Sequence, residues 1–266
     1  MSKEAYFKDK VVWITGASSG IGKELCIQLS KLGSKLILSS RNEQALVELS
    51  KELSFTENHL VLPLDLSESS SFDHILDLAL SKFDRIDLLI QNGGISQRGT
   101  AFDSSEDVVR KIMEVNFFGN VMLTKSVLPS LRKSKGQILV ISSIAGKFGF
   151  FLRSSYSASK HALHGYYESL ALEEEENGLS VTIACPGKIN TPISTNAIAA
   201  DGQKHGEMDH NQETGMPVEE CVSQLLKALI SKKREVLIGN KEIKAVTLRR
   251  FFPALFWKII KKQSAT

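Results

Sequence analysis

The chain has 266 residues, of which 42% are hydrophobic and 24% are charged, and its formal net charge is +3. This length and composition allow one large α/β domain or two small ones, and so small a net charge gives no reason to expect nucleic-acid binding. Three widely spaced cysteines, Cys26, Cys185 and Cys221, fit neither a disulfide framework nor a metal cluster, so we expect no metal and a reducing, cytoplasmic location.

The first ten residues are mostly polar or charged, so we expect no signal peptide. No apolar segment approaches the roughly 20 residues that are needed to cross a bilayer. Beyond residue 10, short continuous apolar segments predict strands that are buried on both faces, as in a parallel sheet. Seven such segments occur, at residues 11–15, 35–39, 59–64, 86–91, 137–142, 180–185 and 235–239.

Helical segments are predicted between these strands, at residues 20–32, 42–53, 67–82, 105–133, 155–177 and 217–231. Ser104 and Ser105 are candidate N-caps, and Gly33 and Gly178 are candidate C-terminal stops. Strands that alternate with helices form right-handed βαβ units. We therefore predict an α/β fold of the Rossmann type, a three-layer, doubly wound parallel sheet of about seven strands, as a single domain over residues 1–266.

A glycine-rich loop, TGASSGIG, follows the first strand and leads directly into a helix. Glycines in this place let the backbone turn tightly and let a pyrophosphate approach the positive end of the helix. A flexible turn is the alternative, but the position between strand and helix favours dinucleotide binding. The residues predicted to bind the cofactor here are Gly16, Ser18, Ser19, Gly20, Ile21 and Gly22.

The second strand is followed by Ser40 and Arg41, at a place where a protein that selects NAD normally carries Asp or Glu. An arginine binds a 2′-phosphate through paired, charge-assisted hydrogen bonds. This pattern predicts NADP(H) as the preferred cofactor, with NAD(H) possible. The alternative is a solvent-facing arginine at the start of a helix.

The ends of the third and fourth strands supply further candidate cofactor contacts. Asp65 is placed to accept a hydrogen bond from an adenine amino group, with Leu66 beside it, or else to cap the next helix. Asn92 and Gly94 follow the fourth strand, where the glycines allow the backbone to approach a cofactor closely.

Tyr156 precedes Lys160 by four residues within the predicted helix 155–177, so both side chains lie on one face. A free phenol has a pKa of about 10, and a nearby ammonium lowers that pKa toward the range that proton transfer requires. The spacing alone is equally compatible with an ordinary amphipathic surface.

Six motifs occur in a fixed order: TGASSGIG, QNGG, the Asn116 of EVNFFG, ISS at 141–143, YSASK at 156–160 and CPG at 185–187. In these motifs the chain resembles the short-chain dehydrogenase/reductase superfamily, in its single-domain form, over residues 8–240. The stretch 191–209 is most similar to the member-seven group of dehydrogenase/reductases, especially its B form. Those relatives generally carry an N-terminal membrane anchor, which we do not expect in this chain.

The resemblance implies hydride exchange between a nicotinamide cofactor and a substrate, and it gives each motif a role. Tyr156 exchanges the proton, Lys160 assists it and binds the nicotinamide ribose, and Ser143 polarises the carbonyl. Ser142 is expected to point to the opposite face of its strand. Asn116 holds a water of a proton relay, or is simply a polar position on an amphipathic helix. The residues implied beside the nicotinamide are Pro186, Gly187, Ile189 and Thr191.

These expectations combine into an NADP(H)-preferring oxidoreductase, a homodimer or homotetramer, that interconverts a carbonyl and a secondary alcohol on a small apolar, lipid-like or steroid-like substrate. A catalytically silent sensor or scaffold of the same fold is the alternative, although such a protein would be expected to lack Tyr156, Lys160 or Ser143. An epimerase or dehydratase would need a larger C-terminal domain than this chain offers.

Two segments stand outside the motifs. Residues 187–216 are predicted to be irregular, and the resemblance implies that they cover the substrate. Ile193, Ala197, Ile198 and Ala199 offer an apolar wall there, either for the substrate or for the protein's own core. The tail 247–266 mixes large apolar residues with cations, and Pro253 interrupts a simple helix there. Docking on the domain or on a sister subunit, contact with an anionic membrane surface, and disorder all remain open for the tail.

Overall fold

Seven strands form one parallel sheet in a computed structural model that describes residues 2–262. The sheet contains β1 (Val11–Thr15), β2 (Lys35–Ser39), β3 (His59–Val61), β4 (Leu88–Gln91), β6 (Gln137–Ile141), β7 (Ser180–Pro186) and β9 (Glu235–Ile238). Its order is β3-β2-β1-β4-β6-β7-β9, with every neighbouring pair parallel. The strand order reverses between β1 and β4, which is where doubly wound folds place their ligands.

The sheet is covered on both faces, which explains why its strands are continuously apolar. Val12 and Ile14 of β1 belong to one buried cluster, whereas Val11 and Trp13 belong to a second cluster on the opposite face. Successive side chains of a strand alternate between faces, so both layers of helices find an apolar partner. The predicted fold class is confirmed.

The helices agree with the predicted segments and add one at the N-terminus, a short one within the segment 187–216 and two in the tail. They are α1 (Lys3–Phe7), α2 (Gly20–Lys31), α3 (Glu43–Glu52), α4 (Phe72–Phe83), α5 (Glu106–Met113), α6 (Gly119–Ser134), α7 (Ser154–Glu173), α8 (His210–Glu213), α9 (Val218–Ile230), α10 (Lys244–Phe251) and α11 (Pro253–Ile260). Ser105 caps α5 through the Val108 amide, and Gly33 and Gly178 adopt positive φ after α2 and α7. None of the helices within residues 2–262 is long and apolar enough to cross a membrane.

Three local features differ from the sequence-based prediction. The strand predicted over 59–64 ends at Val61, although the amides of Leu62 and Leu64 still donate to the carbonyl oxygens of Leu38 and Ser40, at 3.0 and 3.1 Å. A five-residue π-helical turn, Glu114–Phe118, interrupts the helix predicted over 105–133. The N-terminal helix α1 was not predicted, since only Tyr6 and Phe7 among its five residues are buried.

The segment 187–216 is largely irregular, as expected, but it is tied to the domain by a second, two-stranded sheet. In this sheet β5 (Gln97–Arg98) pairs in parallel with β8 (Ile198–Ala199). The two residues of each strand are too few to produce a periodic pattern, which is why this pair was not predicted.

The tail forms α10 and α11, with Pro253 at the start of α11, where a proline is tolerated. Phe256 is fully buried and packs its ring against Phe148, with the ring centroids 4.9 Å apart. Of the alternatives for the tail, docking on its own domain is therefore confirmed for this face. Residues 263–266, the end of the predicted tail, lie outside the described residues.

Candidate active site

A cavity of about 700 Å³ lies at the carboxyl ends of β1, β4, β6 and β7. Parallel strands end at the same edge of a sheet, so loops that are far apart in the sequence meet there. The cavity extends from Ser40 and Arg41 at one end, past the glycine loop, to Ser143 and Tyr156. All predicted cofactor-binding residues line it except Gly22.

The glycine loop has the backbone geometry that the motif predicts. Gly16 and Gly20 have φ values of +64° and +52°, in the left-handed region that glycine adopts without strain. A Cβ atom on Gly22 would lie 2.1 Å from the Gly16 carbonyl oxygen, so this glycine permits close packing within the loop instead of touching a ligand. Gly20 and Ile21, in the first turn of α2, line the cavity, so the positive end of this helix faces it.

Asn92 fastens the end of β4 to the glycine loop. Its side-chain Nδ2 donates to the carbonyl oxygens of Thr15 and Gly16, at 3.0 and 3.1 Å. The Thr15 hydroxyl in turn accepts from the amides of Asn92 and Gly93, at 3.0 and 2.9 Å. Asn92 therefore holds the loop in shape, in addition to lining the cavity.

The far end of the cavity carries Arg41, which was predicted to select the cofactor, and Asp65, which was predicted to contact the adenine or to cap the next helix. Arg41 is exposed and lines the cavity. Burial alone would raise the pKa of Asp65, but hydrogen bonds from Ser67 and the charge of Arg41 outweigh it and hold the pKa below its usual range. Asp65 Oδ1 accepts from the Ser67 amide and hydroxyl, at 2.9 and 2.7 Å, in a turn that precedes α4 without capping it.

At the other end of the cavity, Ser143, Tyr156 and Lys160 come together as the motifs predict. Tyr156 is hydrogen-bonded to Ser143, and Lys160 Nζ lies 5.7 Å from the centroid of the Tyr156 ring. Lys160 Nζ also donates to the Ile141 carbonyl oxygen at 2.8 Å. Burial lowers the pKa of Lys160 from 10.5 to about 8, because desolvation disfavours the charged form.

The expected lowering of the Tyr156 pKa is wrong in direction. Burial raises the pKa of Tyr156 above 10.0, and it outweighs the hydrogen bond with Ser143 and the positive charges of Arg153 and Arg98, which lower it. The phenol is thus protonated throughout the neutral range in this environment. The cations that act on it include two arginines that no motif indicated.

The two adjacent serines point in different directions, as predicted. Ser143 Oγ accepts from the Ala145 amide at 3.1 Å and lies 3.4 Å from the Pro186 carbonyl oxygen. Ser142 Oγ instead lies 3.3 Å from the Lys160 carbonyl oxygen and 3.1 Å from His164 Nε2. Ser143 is therefore the serine that contacts the tyrosine.

Asn116 is fully buried within the π-helical turn and stands behind the cavity wall. Its Oδ1 accepts from the Ile95 amide at 2.8 Å, while its Nδ2 donates to the Ile95 carbonyl and to Ser159 Oγ, at 2.9 and 3.0 Å. A Cβ atom on Gly94 would lie 3.1 Å from Asn116 Oδ1 and 3.7 Å from Lys160 Nζ. Asn116 thus shapes the wall next to Lys160, and its role in a water relay remains a prediction.

The turn after β7 completes the cavity with Pro186, Gly187, Ile189 and Thr191. A Cβ atom on Gly187 would lie 2.4 Å from Glu242 Oε1, and the same carboxylate accepts from the Lys188 amide at 2.9 Å. Glu242 supports this turn from 54 residues away, and no local pattern in the sequence indicated it.

Part of the predicted apolar wall lines the cavity, and part of it packs into the protein's own core. Ile193, Ala197 and Ile198 line the cavity, and Ile198 also packs into a small core cluster with Val108 and Ile112. Ala199 pairs with Arg98 in the two-stranded sheet and does not line the cavity.

The residues present fit a nicotinamide dinucleotide. Gly16 and Gly94 keep the cavity wall free of side chains that would crowd their neighbours. The N-terminus of α2 suits a pyrophosphate, and the hydroxyl pair of Ser143 and Tyr156 suits an oxygen that gains or loses a proton.

Comparison with known proteins agrees with this geometry. Residues 10–202 match the family model described as short chain dehydrogenase. The chain is 40% identical over 264 residues to dehydrogenase/reductase SDR family member 7B of Mus musculus. This alignment covers 97% of this chain and 82% of that protein. It is 38% identical over 262 residues to the protein of the same name in Danio rerio, with 95% and 85% covered.

Two solved structures share the fold at low sequence identity. A short chain dehydrogenase/reductase from Burkholderia phymatum in complex with NAD aligns with a TM-score of 0.82, at 22% identity and over 96% of each chain. A short chain dehydrogenase from Burkholderia cenocepacia in complex with NADP aligns with a TM-score of 0.79, at 22% identity and over 97% of this chain and 99% of that one.

Proposed function

Because this chain belongs to the short-chain dehydrogenase family and is an oxidoreductase of that family, we propose that it uses NADP(H) in preference to NAD(H) and interconverts a carbonyl and a secondary alcohol on an apolar substrate. The observation that carries the reaction is the convergence of Ser143, Tyr156 and Lys160 at one end of a cavity whose other end is the glycine loop.

Arg41 supports the preference for NADP(H). It is exposed at the end of β2, lines the cavity, and forms no ion pair with a carboxylate within the described part of the chain. A guanidinium in this state is available to a 2′-phosphate, and Ser40 beside it adds a hydroxyl without adding negative charge.

The cofactor preference is tested by the dissociation constants of NADPH and NADH, measured by fluorescence titration of the full chain. We expect NADPH to bind more tightly, and Arg41→Ala to weaken NADPH by at least about tenfold, the equivalent of one charge-assisted contact, with little effect on NADH. Equal affinities in the unmodified protein would reject the preference.

The protein's own groups divide the reaction between them. A bound nicotinamide would supply or accept the hydride. Ser143 Oγ donates a hydrogen bond to the substrate oxygen and so polarises the carbonyl, while the Tyr156 hydroxyl, which burial keeps protonated, gives its proton to that oxygen. Lys160 holds a positive charge behind the tyrosine that stabilises the phenolate left after the transfer. Oxidation of an alcohol reverses these steps.

Tyr156→Phe tests the assignment, because it removes the hydroxyl and keeps the ring. Turnover, followed by the absorbance of the reduced nicotinamide across a panel of carbonyl compounds and alcohols, should fall by at least about 10²-fold, the lower range of general acid–base catalysis. Cofactor affinity should stay within about twofold. A variant that retains turnover would reject Tyr156 as the acid, whereas a chain that binds NADPH without turning over any compound would favour a sensor.

The substrate end of the cavity supports an apolar substrate. Ile95, Ile144, Phe150, Ile193 and Ile198 line the same cavity as Ser143 and Tyr156. Pockets of this kind bind small molecules through apolar walls and a few fixed polar groups. The same panel tests this part of the proposal, which predicts lower KM values for carbonyl compounds with larger apolar groups.

A homodimer or homotetramer is proposed for the assembly. Phe118, at the end of the π-helical turn, and Met122, four residues later in α6, are both exposed, and so is Leu172 of α7. Large apolar side chains on one helical face favour association with a second copy. Sedimentation velocity at micromolar concentration measures the assembly directly, and a purely monomeric chain would contradict the proposal.

A further inference from the structure

A buried group of charged side chains lies at the substrate end of the cavity and belongs to none of the six motifs. Asp209, from the irregular segment, forms a two-pronged ion pair with Arg98 of β5 and accepts from Arg153 Nη2 at 2.8 Å. The exposed fractions of the Asp209, Arg98 and Arg153 side chains are 1%, 4% and 15%. All three line the cavity, and two guanidinium groups sharing one carboxylate leave a net charge of +1.

The same short strand that carries Arg98 also holds the helix of the catalytic tyrosine. Gln97 Oε1 accepts from the Ser155 and Tyr156 amides in the first turn of α7, at 2.8 and 3.3 Å. The Gly99 amide donates to the Leu152 carbonyl oxygen at 3.1 Å. Residues 97–99 thus join the start of α7 to the covering segment, which pairs with them through β8.

Arg98 is fixed by contacts beyond the ion pair. Its Nη1 donates to Ser96 Oγ and to the Gln97 carbonyl oxygen, at 3.0 and 2.6 Å. A guanidinium with this many buried partners keeps one orientation, because each donor would lose a hydrogen bond by moving. The positive charge of the cluster is therefore held at a fixed place near the phenol of Tyr156.

We propose that Arg98 and Arg153, held together by Asp209, are positioning residues of the reaction: they latch the segment 187–216 over the substrate end of the cavity and set the net positive charge that Tyr156 experiences. The proposal rests on the assigned role of Tyr156 as the proton donor. Removing a cation from the cluster makes the phenol a weaker acid, and removing the carboxylate makes it a stronger one.

Other charged and polar groups face this region and must stay constant in the test. Lys160 and Ser143 contact the tyrosine from α7 and from the end of β6. His205 Nε2 lies 4.0 Å from Asp209 Oδ1, and Lys188 and Lys204 line the same cavity. The variants that test the proposal leave all five of these residues unchanged.

The decisive experiment varies the net charge of the cluster and measures the pH dependence of kcat. Arg98→Gln leaves a cluster charge of zero, Asp209→Asn leaves +2, and the double variant returns to +1. We expect the basic pKa of the kcat–pH profile to rise by about one unit in Arg98→Gln, to fall by about one unit in Asp209→Asn, and to return to the unmodified value in the double variant. Arg110→Gln, at an exposed ion pair on α5, serves as the control and should leave the profile unchanged.

A merely structural role would not produce this order, since both single variants would then lower kcat without shifting the profile in opposite directions. Shifts of the same sign, or none, would overturn the electrostatic part of the proposal. If Arg98→Gln fails to fold, Arg153→Gln makes the same change of charge at a more accessible side chain and carries the same expectation.

Whether the cluster holds the segment 187–216 in place, as a latch, is measured separately by amide hydrogen exchange over residues 194–209 in the full chain. All three variants should exchange at least tenfold faster there than the unmodified protein, while the strands of the main sheet keep their protection. Unchanged exchange would overturn the latch. This measurement needs no turnover, so it decides the latch even if Tyr156→Phe were to reject the proposed function.

Discussion

Replacing Lys160 by Met tests whether the buried positive charge of this side chain lowers the stability of the folded protein. The side chain is 5% exposed, and burial lowers its pKa from 10.5 to about 8. At pH 7 the native protein therefore contains a buried ammonium. A change of one pKa unit corresponds to about 1.4 kcal/mol. The lowered pKa of Lys160 therefore means that the native protein loses roughly 3 kcal/mol of stability by holding the lysine in its charged form.

Met fills nearly the same volume without a charge, but it removes one hydrogen bond. Lys160 Nζ donates to the Ile141 carbonyl oxygen at 2.8 Å, and leaving a buried acceptor unpaired costs about 1–3 kcal/mol. At pH 7 we expect Lys160→Met to be between equally stable and about 2 kcal/mol more stable than the unmodified chain. Its turnover should be lost.

The dependence on pH separates this explanation from simple repacking. Between pH 8 and 10.5 the unfolded chain still binds the lysine proton and the native chain has released it. The native state of the unmodified protein is therefore stabilised as the pH rises through this window, and the penalty is complete below pH 8. The variant has no such proton, so its relative stability should fall by about 2 kcal/mol between pH 8 and pH 10.

Urea unfolding followed by circular dichroism at pH 7, 8, 9 and 10 gives the free energies of unfolding for both proteins. Lys125→Met, at an exposed position of α6, is the matched control and should show no comparable trend. A stability difference between Lys160→Met and the unmodified chain that stays constant from pH 8 to 10 would refute the reasoning.

Two further predictions concern the glycine loop and the tail. Gly22→Ala places a Cβ atom 2.1 Å from the Gly16 carbonyl oxygen, so the loop must shift and the NADPH dissociation constant should rise at least about tenfold; an unchanged value would contradict the packing role. The outer face of the tail exposes Phe252 and Trp257 among cations, so the chain should float with vesicles that contain phosphatidylserine. The double variant Phe252→Ser/Trp257→Ser keeps the buried Phe256 and should not float with the vesicles. If the unmodified chain does not bind the vesicles either, the prediction of membrane contact is wrong.

The cofactor half of the site was largely predictable from the sequence, because its residues follow directly from strand ends. Gly16, Asn92, Gly94 and Gly187 each come within a few residues of a continuous apolar strand. Once the strands are recognised and the sheet is parallel, their carboxyl ends must meet along one edge. At these positions the local sequence alone is enough to predict which residues the fold brings together.

The remaining contacts were not predictable, because they depend on pairings between distant segments. Gln97 caps the helix of Tyr156 across 59 positions of sequence, and Arg98 meets Asp209 across 111. Neither segment has a period, a cap or a glycine pattern that indicates such a contact. The direction of the Tyr156 pKa was misjudged for the same reason, since spacing shows the lysine but does not show burial.

The proposed function assigns substrate selection and chemistry to different parts of the molecule. The strand ends that hold Gly16, Asn92 and Ser143 are fixed by the main sheet, so a substitution there disturbs the cofactor and the chemistry together. The segment 187–216 is held instead by the two residue pairs of β5 and β8 and by Asp209. Changes at Ile193 or Ile198 can therefore reshape the substrate end of the cavity while the sheet, the glycine loop and the acid remain in place.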